Sequence, residues 1–291
     1  MSFSKGARRS HPSKLVSKKA AAAHPVIAAI LATAATIAAS CDLAPFEPTR
    51  LDQGQSGSCT AHSFSGSTST ACRKAGTVLG FEPSPRETYA ATRGIERANS
   101  TPAGQSLPAL TDSGAEPADV MNAGLIFGTS PMMGPTPDGR NSDIWTDQDT
   151  TAQPANVNNE PDGNQLQVAG TTLITGEYMI DATAPNVSDL VAAAISAGFP
   201  VYTCFFCDSA FEQLTAGQIA QAPNQSDPSG GGHATYLSGY TTNADGTRTF
   251  IMTNSWGTSW CDNGRCLVSE AWLKAVWEMY VIDVSVQKAV A

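Results

Sequence analysis

The sequence predicts an α+β fold of two lobes, a helical lobe followed by an antiparallel, β-barrel-like lobe, with a cleft between them. Three observations carry that expectation. Residues 41–128 hold stretches with helical apolar spacing, 129–165 lose apolar periodicity altogether, and 166–291 are dominated by short runs rich in Val, Ile, Thr and Tyr. A chain of 291 residues can bury the cores of two such lobes. The expected organisation is a leader over 1–40 and one domain over 41–291. That domain divides into a mainly helical lobe (41–128), a polar insertion (129–165) and a mainly β lobe (166–291).

The elements follow in order. Ala61, Phe64, Ala71 and Ala75 form one apolar stripe, which predicts a helix from about Cys59 to Lys74 with Gly76 as its stop. Its many Ser and Thr residues are poor helix formers, so packing must hold it. Pro83-Ser84-Pro85 opens a second helix running to about Arg97, because Ser before Pro suits a helix entrance. Asp112-Ser-Gly-Ala-Glu-Pro leads into a third, short one ending near Gly124. Strands are expected over Thr171–Ile180, Phe199–Phe206, His233–Tyr240, Thr247–Thr253, Arg265–Val268 and Met279–Val286, with one helix, Ser188–Ala197, among them.

Charge is distributed unevenly. Six of the 17 basic residues (Lys5, Arg8, Arg9, Lys14, Lys18, Lys19) and no acid lie in 1–40, leaving 11 basic against 26 acidic residues beyond, a net −15. An acidic body without a basic stripe argues against nucleic acid as a partner. In the leader, basic residues up to Lys19 followed by the Ala-rich Ala20–Ser40 resemble an export signal, with Ala38-Ala39-Ser40-Cys41 as a lipoprotein-like processing site. A membrane anchor is a second reading of 1–40, weakened by His24, Pro25 and the many Ala and Thr. A third is a retained arm that docks on a partner. The expected location is thus exported or secreted, with a virion- or particle-associated protein as the alternative.

Seven cysteines are present. Cys261-Asp-Asn-Gly-Arg-Cys266 is the best local candidate for a disulfide, since Asn263-Gly264 is a hairpin turn signal. Cys204 and Cys207, three apart on a strand, point to opposite faces and suit neither a zinc clip nor a redox pair. No cofactor and no metal are expected.

The segment Gln53-Gly-Gln-Ser-Gly-Ser-Cys59 puts a thiol at a helix start, with Gly57 and Ser58 immediately before it and an amide donor six positions upstream. A thiol attacks as thiolate, and a helix N-terminus together with a histidine lowers its pKa. Gly232-His233-Ala234 supplies that histidine. Asn254 in Thr253-Asn254-Ser255-Trp256-Gly257 is suited to fix the imidazole, with the Trp256 indole shielding the bond. The Cys59 amide and the Gln53 side chain are suited to receive an oxyanion. Each residue has a plain rival: a structural cysteine, a core histidine, a turn asparagine, a core tryptophan. Four such residues in the required order make the joint coincidence improbable. His62, three residues after Cys59 on the same helix, is read as core or supporting.

These segments resemble the papain-like cysteine peptidases, more closely their bacterial and phage-type members. The match runs over about 41–285, through the nucleophile segment, Gly232-His233-Ala234 with Leu237-Ser-Gly-Tyr240, and Asn254-Ser-Trp-Gly257. The resemblance implies a papain-like two-lobe fold, an endopeptidase acting on protein or peptide substrates, Cys59 as nucleophile, His233 as base and acid, Asn254 as orienter and Gln53 as oxyanion donor. The chain departs from the family pattern at Ser56, where a disulfide cysteine is usual, and at Thr60, where an aromatic is usual. His233 and Asn254 follow Cys59 by 174 and 195 residues, beyond the roughly 130–150 of the family, which the insertion accounts for. Forty leader residues are also too few for the family's typical inhibitory propeptide. Two other functions stay open: a catalytically inactive structural or particle component, and a Cys-His cell-wall amidase.

Overall fold

The computed structural model describes residues 3–15, 30, 37–76, 82–130, 132, 157–158 and 174–284. Most of the Ala-rich leader and nearly all of the polar insertion lie outside the described residues. Six α-helices lie among them: α1 (Cys59–Lys74), α2 (Pro85–Ser100), α3 (Pro117–Ile126), α4 (Val187–Ser196), α5 (Ser209–Glu212) and α6 (Glu270–Leu273). The strands are β1 (Ser40–Asp42), β2 (Gly176–Ile180), β3 (Val201–Cys207), β4 (Ile219–Ala220), β5 (Gly231–Thr242), β6 (Arg248–Thr253), β7 (Arg265–Ser269) and β8 (Val276–Asp283). Among the described residues no helix is long and apolar enough to cross a membrane.

The eight strands form one sheet in the order β2-β8-β3-β5-β6-β7-β4, with β1 added antiparallel to β5. All pairs are antiparallel except β4 with β7. The alternation of β3 decides how the sheet is buried. Val201, Phe205 and Cys207 enter one core with Trp272, Phe250 and Val191, while Tyr202 and Cys204 enter the other with Phe64, Met121 and Tyr280. Cys204 and Cys207 are therefore buried free thiols on opposite faces.

Helix α1 lies on the second face against β5, β3 and β8. Fourteen of its 16 residues are buried, which is how so Ser/Thr-rich a segment stays helical. Gly66 allows the approach: a Cβ there would stand 2.6 Å from the Tyr236 ring on β5. Helix α2 is capped by Ser84, whose side chain accepts from the Glu87 amide, as its Ser-Pro entrance suggests. The first face is closed by α4 and by Trp272, fully buried edge-on to Phe205 at 4.7 Å. Trp272→Ala is expected to cost about 3–5 kcal/mol through lost burial and the cavity left behind. Urea unfolding followed by circular dichroism reads this; a loss below about 1 kcal/mol would mean the site collapses around the gap.

One sequence expectation is corrected. The Asn263-Gly264 turn forms, with φ of 52° and 79°, but Cys261 and Cys266 remain unpaired thiols. Cys261 itself has φ of 48° and stands off the strand, while Cys266 turns into the core beside Met252 Sδ at 3.8 Å.

Candidate active site

Cys59 is the first residue of α1, and the preceding Ser58 makes no side-chain cap. The Ser58 hydroxyl instead meets Ser56 Oγ at 2.6 Å and His62 Nδ1 at 3.0 Å. The helix thus keeps uncapped amides and its positive end at the sulfur. His62 is held in that network, as a supporting group.

His233 sits on β5, across the sheet from Phe205 on β3. Its Nε2 donates to Asn254 Oδ1 at 2.8 Å, which fixes the tautomer and leaves Nδ1 without a hydrogen-bond partner. Trp256 stacks on the imidazole at 4.5 Å and 23°. The amide of Ala234, next to His233, bonds the Cys59 sulfur, so β5 and the start of α1 meet at the thiol.

Gln53 is tied to the asparagine turn from both ends. Its backbone N donates to Ser255 O at 2.9 Å, and its Oε1 accepts from Ser255 Oγ at 2.7 Å. That leaves Nε2 directed at carbonyl oxygens, with Ser56 O at 2.8 Å. Gly57 N donates to Asp112 Oδ1 at 2.9 Å, and the Tyr89 hydroxyl donates to the same oxygen at 2.7 Å while accepting from Gly114 N at 2.8 Å. Asp112 and Tyr89 therefore tie the nucleophile turn at Gly57 to the backbone at Gly114. Sequence reasoning gave neither a role, although Asp112 heads a segment it had noticed.

The cleft is occupied by the chain's own residues 3–14. Phe3 stacks on Trp256 at 4.3 Å and 9°, and Ser4 O accepts from Gln53 Nε2 at 3.1 Å. Lys5 pairs with Glu212 and donates to Ser229 O at 2.9 Å. Gly6 O accepts from Ala115 N at 2.8 Å, Ala7 N donates to Gly232 O at 2.9 Å, and Arg8 N donates to Ala115 O at 3.0 Å. Beyond, Arg8 pairs with Glu96, Ser10 bonds both carboxylate oxygens of buried Glu278 at 2.9 and 2.8 Å, and Lys14 pairs with Asp119 and Glu116. The amides of Gly6 and Ala7 lie against the Cys59 sulfur. Residues 3–14 thus cover the site.

That cover sets the electrostatics. Burial pushes the Cys59 thiol up to about 11, despite the amides around it. Burial takes His233 down to about 4, against the Asn254 bond and with help from the Lys5 charge. Near pH 7 both groups are neutral in this arrangement. Glu96, Glu116 and Asp119 come close enough together to resemble metal ligands, but Arg8 is paired with Glu96 and Lys14 with Glu116 and Asp119.

Residues 148–275, which include His233 and Asn254, match the family model of the papain family cysteine proteases. No curated protein matches the chain by sequence. Among solved structures, xylellain, a cysteine protease from Xylella fastidiosa, is 20% identical with a TM-score of 0.65, covering 87% of this chain and 88% of that one. The bromelain protease from Ananas comosus, solved with the E64 inhibitor, is 15% identical with a TM-score of 0.58, covering 86% and 100%. Digestive procathepsin L 3 of Tenebrio molitor is 18% identical with a TM-score of 0.58, covering 85% and 70%. At these identities the likeness establishes a papain-like α+β fold of two lobes. The family model spans the histidine and asparagine segments, so residues 148–275 are similar to the papain family of cysteine proteases, and the chain as a whole shares the fold of the solved members.

Proposed function

We propose that the protein is an endopeptidase that hydrolyses peptide bonds through an acyl-enzyme on Cys59, and that residues 3–14 restrain it. In this reading His233 Nδ1 takes the thiol proton and the thiolate attacks the substrate carbonyl carbon. The resulting oxyanion is met by the Cys59 amide and Gln53 Nε2. Collapse expels the amine, which leaves with the proton from Nδ1. Water then gives its proton to the same nitrogen, attacks the thioester and releases the acid. Asn254 and Trp256 keep the imidazole plane and tautomer throughout. Gly57 and Ser58 shape the turn that presents the sulfur.

The observation carrying this reading is the pairing of a fixed imidazole with a vacant Nδ1 and a helix-start thiol bonded to the very next amide along β5. Epoxide labelling of Gly6→Ala, whose added Cβ cannot fit against the Gly57 carbonyl and so lifts the cover, tests it by intact mass. One adduct per chain is expected, absent when Cys59→Ala is added, which should leave unfolded protein substrates intact. No adduct, with both proteins alike on substrate, would instead favour an inactive structural or particle component. Turnover of peptidoglycan in place of protein would favour the amidase.

The restraint follows from direction. The leaving amine takes its proton from His233, so the leaving side of the cleft is the side of His233 and Trp256, and the acyl side is that of Ala115. A substrate would run from Ala115 towards Trp256. Residues 3–14 run the other way, Phe3 on Trp256 and Arg8 on Ala115. The amides of Gly6 and Ala7 lie against the sulfur. Such a strand blocks the cleft without being cut. If 1–40 serves in export or on a particle or membrane, the restrained form is the one that still carries it.

A further inference from the structure

The Lys5 ammonium is held by two acceptors on the leaving side of the cleft, the Glu212 carboxylate and Ser229 O. Both are built into rigid surroundings. The Glu212 backbone oxygen accepts from Trp260 Nε1 at 3.0 Å, and Trp260 stands edge-on to Trp256 at 5.2 Å. The Asp227 carboxylate clamps the two acceptor segments together: Oδ2 accepts from Ser209 N at 2.7 Å at the head of α5, and Oδ1 from Ser229 N at 2.9 Å. With residues 3–14 in place only 9% of the Glu212 side chain is exposed, and among the described residues Lys5 is the cation paired with it. Once residues 3–14 leave, the carboxylate faces the cleft beside the Ser229 carbonyl oxygen and has lost that partner. A peptide bound there covers the carboxylate again, and leaving it unpaired under that cover is costly unless the peptide brings a cation.

We infer that Glu212, with Ser229 O, is a specificity-determining site that selects a lysine or arginine side chain just after the scissile bond of the substrate. This rests on the peptidase reading and adds to it a substrate class, chains cut before a basic residue. The leader's own Lys5 occupies that pocket from the opposite chain direction, so inhibitor and substrate compete for one carboxylate. A neutral or acidic residue at that position leaves Glu212 unpaired or repelled.

Two quenched peptides test it, alike except for Lys or its uncharged isostere norleucine after the cut, with the cut position verified by mass spectrometry. The readout is the ratio of kcat/KM values for the two peptides in the full-length protein. Loosening Lys5 raises both rates together and leaves the ratio alone. Wild type is expected to favour Lys by about tenfold or more, Glu212→Gln to bring the ratio near one, and Glu212→Lys to favour a third peptide with Glu at that position. A ratio unchanged in Glu212→Gln overturns the inference while epoxide labelling of Cys59 keeps the peptidase reading. Absence of both labelling and cleavage once Gly6→Ala has lifted the leader overturns the two together.

Discussion

Placing a methyl group on Gly6 is expected to open the cleft and raise the alkylation rate of Cys59 near pH 7 by about a hundredfold. A Cβ on Gly6 would overlap the Gly57 carbonyl and stand 2.6 Å from the Gly57 Cα, and backbone on the nucleophile turn has nowhere to go. The strand must lift, carrying its amides off the sulfur and admitting water to the imidazole. A thiol at about 11 is ionised to only about one part in 10⁴ at pH 7, whereas one paired with an imidazolium is almost wholly ionised. That gain of about 10⁴ in thiolate is offset by about 10² in intrinsic nucleophilicity as the pKa falls, leaving about 10². Stopped-flow reaction with iodoacetamide across pH 5–9 measures it. Wild type should rise steeply with pH throughout, and Gly6→Ala should reach a plateau. Equal rates in the two proteins would mean that the leader does not shield the thiol.

The sequence disclosed the fold and candidate site unevenly, and the reasons are physical. Cys59, His233, Asn254 and Gln53 were legible because each demands a particular neighbour along the chain: glycines in the nucleophile turn, Trp256 two after the asparagine. The opposite facing of Cys204 and Cys207 was legible from period two alone. Strands β1 and β4, of three and two residues, are too short to show any period. The Cys261–Cys266 pairing failed for a different reason. Its turn is written in Asn263-Gly264, but the side on which each sulfur emerges depends on the positive φ at Cys261, which residue type does not announce.

The leader is the instructive case. Lys5, Arg8 and Lys14 read as the charged region of an export signal because charge along a chain carries no information about its partners. Glu212, Glu96, Asp119 and Glu116 meet those cations only after folding, from 88 to 207 positions away. The acidic surplus beyond residue 40, used to argue against nucleic acid, includes the carboxylates that bind the leader. The two roles proposed for 1–40, an address and a restraint, are compatible with the same basic residues.

Gln53→Ala is expected to lower kcat by about 10²–10³ with little change in KM, the usual consequence of losing one oxyanion donor, about 3–4 kcal/mol. The prediction depends on how the side chain is pinned. Ser255 Oγ donates to Oε1, which forces Nε2 towards the carbonyls of Ser56 and Ser4. The amide therefore does not reorient when charge develops, and its contribution appears in the transition state rather than in binding. Measuring the substitution in the Gly6→Ala background separates the two roles of Gln53, because in the covered enzyme the same Nε2 also holds Ser4 O. Removing it there loosens the leader and partly offsets the lost catalysis. A parallel rise in KM with kcat preserved would mean that Gln53 only binds the substrate carbonyl. Ser255→Ala should then act as a weaker copy: Nε2 remains present but free to turn, so kcat falls by a smaller factor with the same unchanged KM. An equal or larger loss in Ser255→Ala would put the effect in the asparagine turn and the imidazole it holds, not in the oxyanion donor.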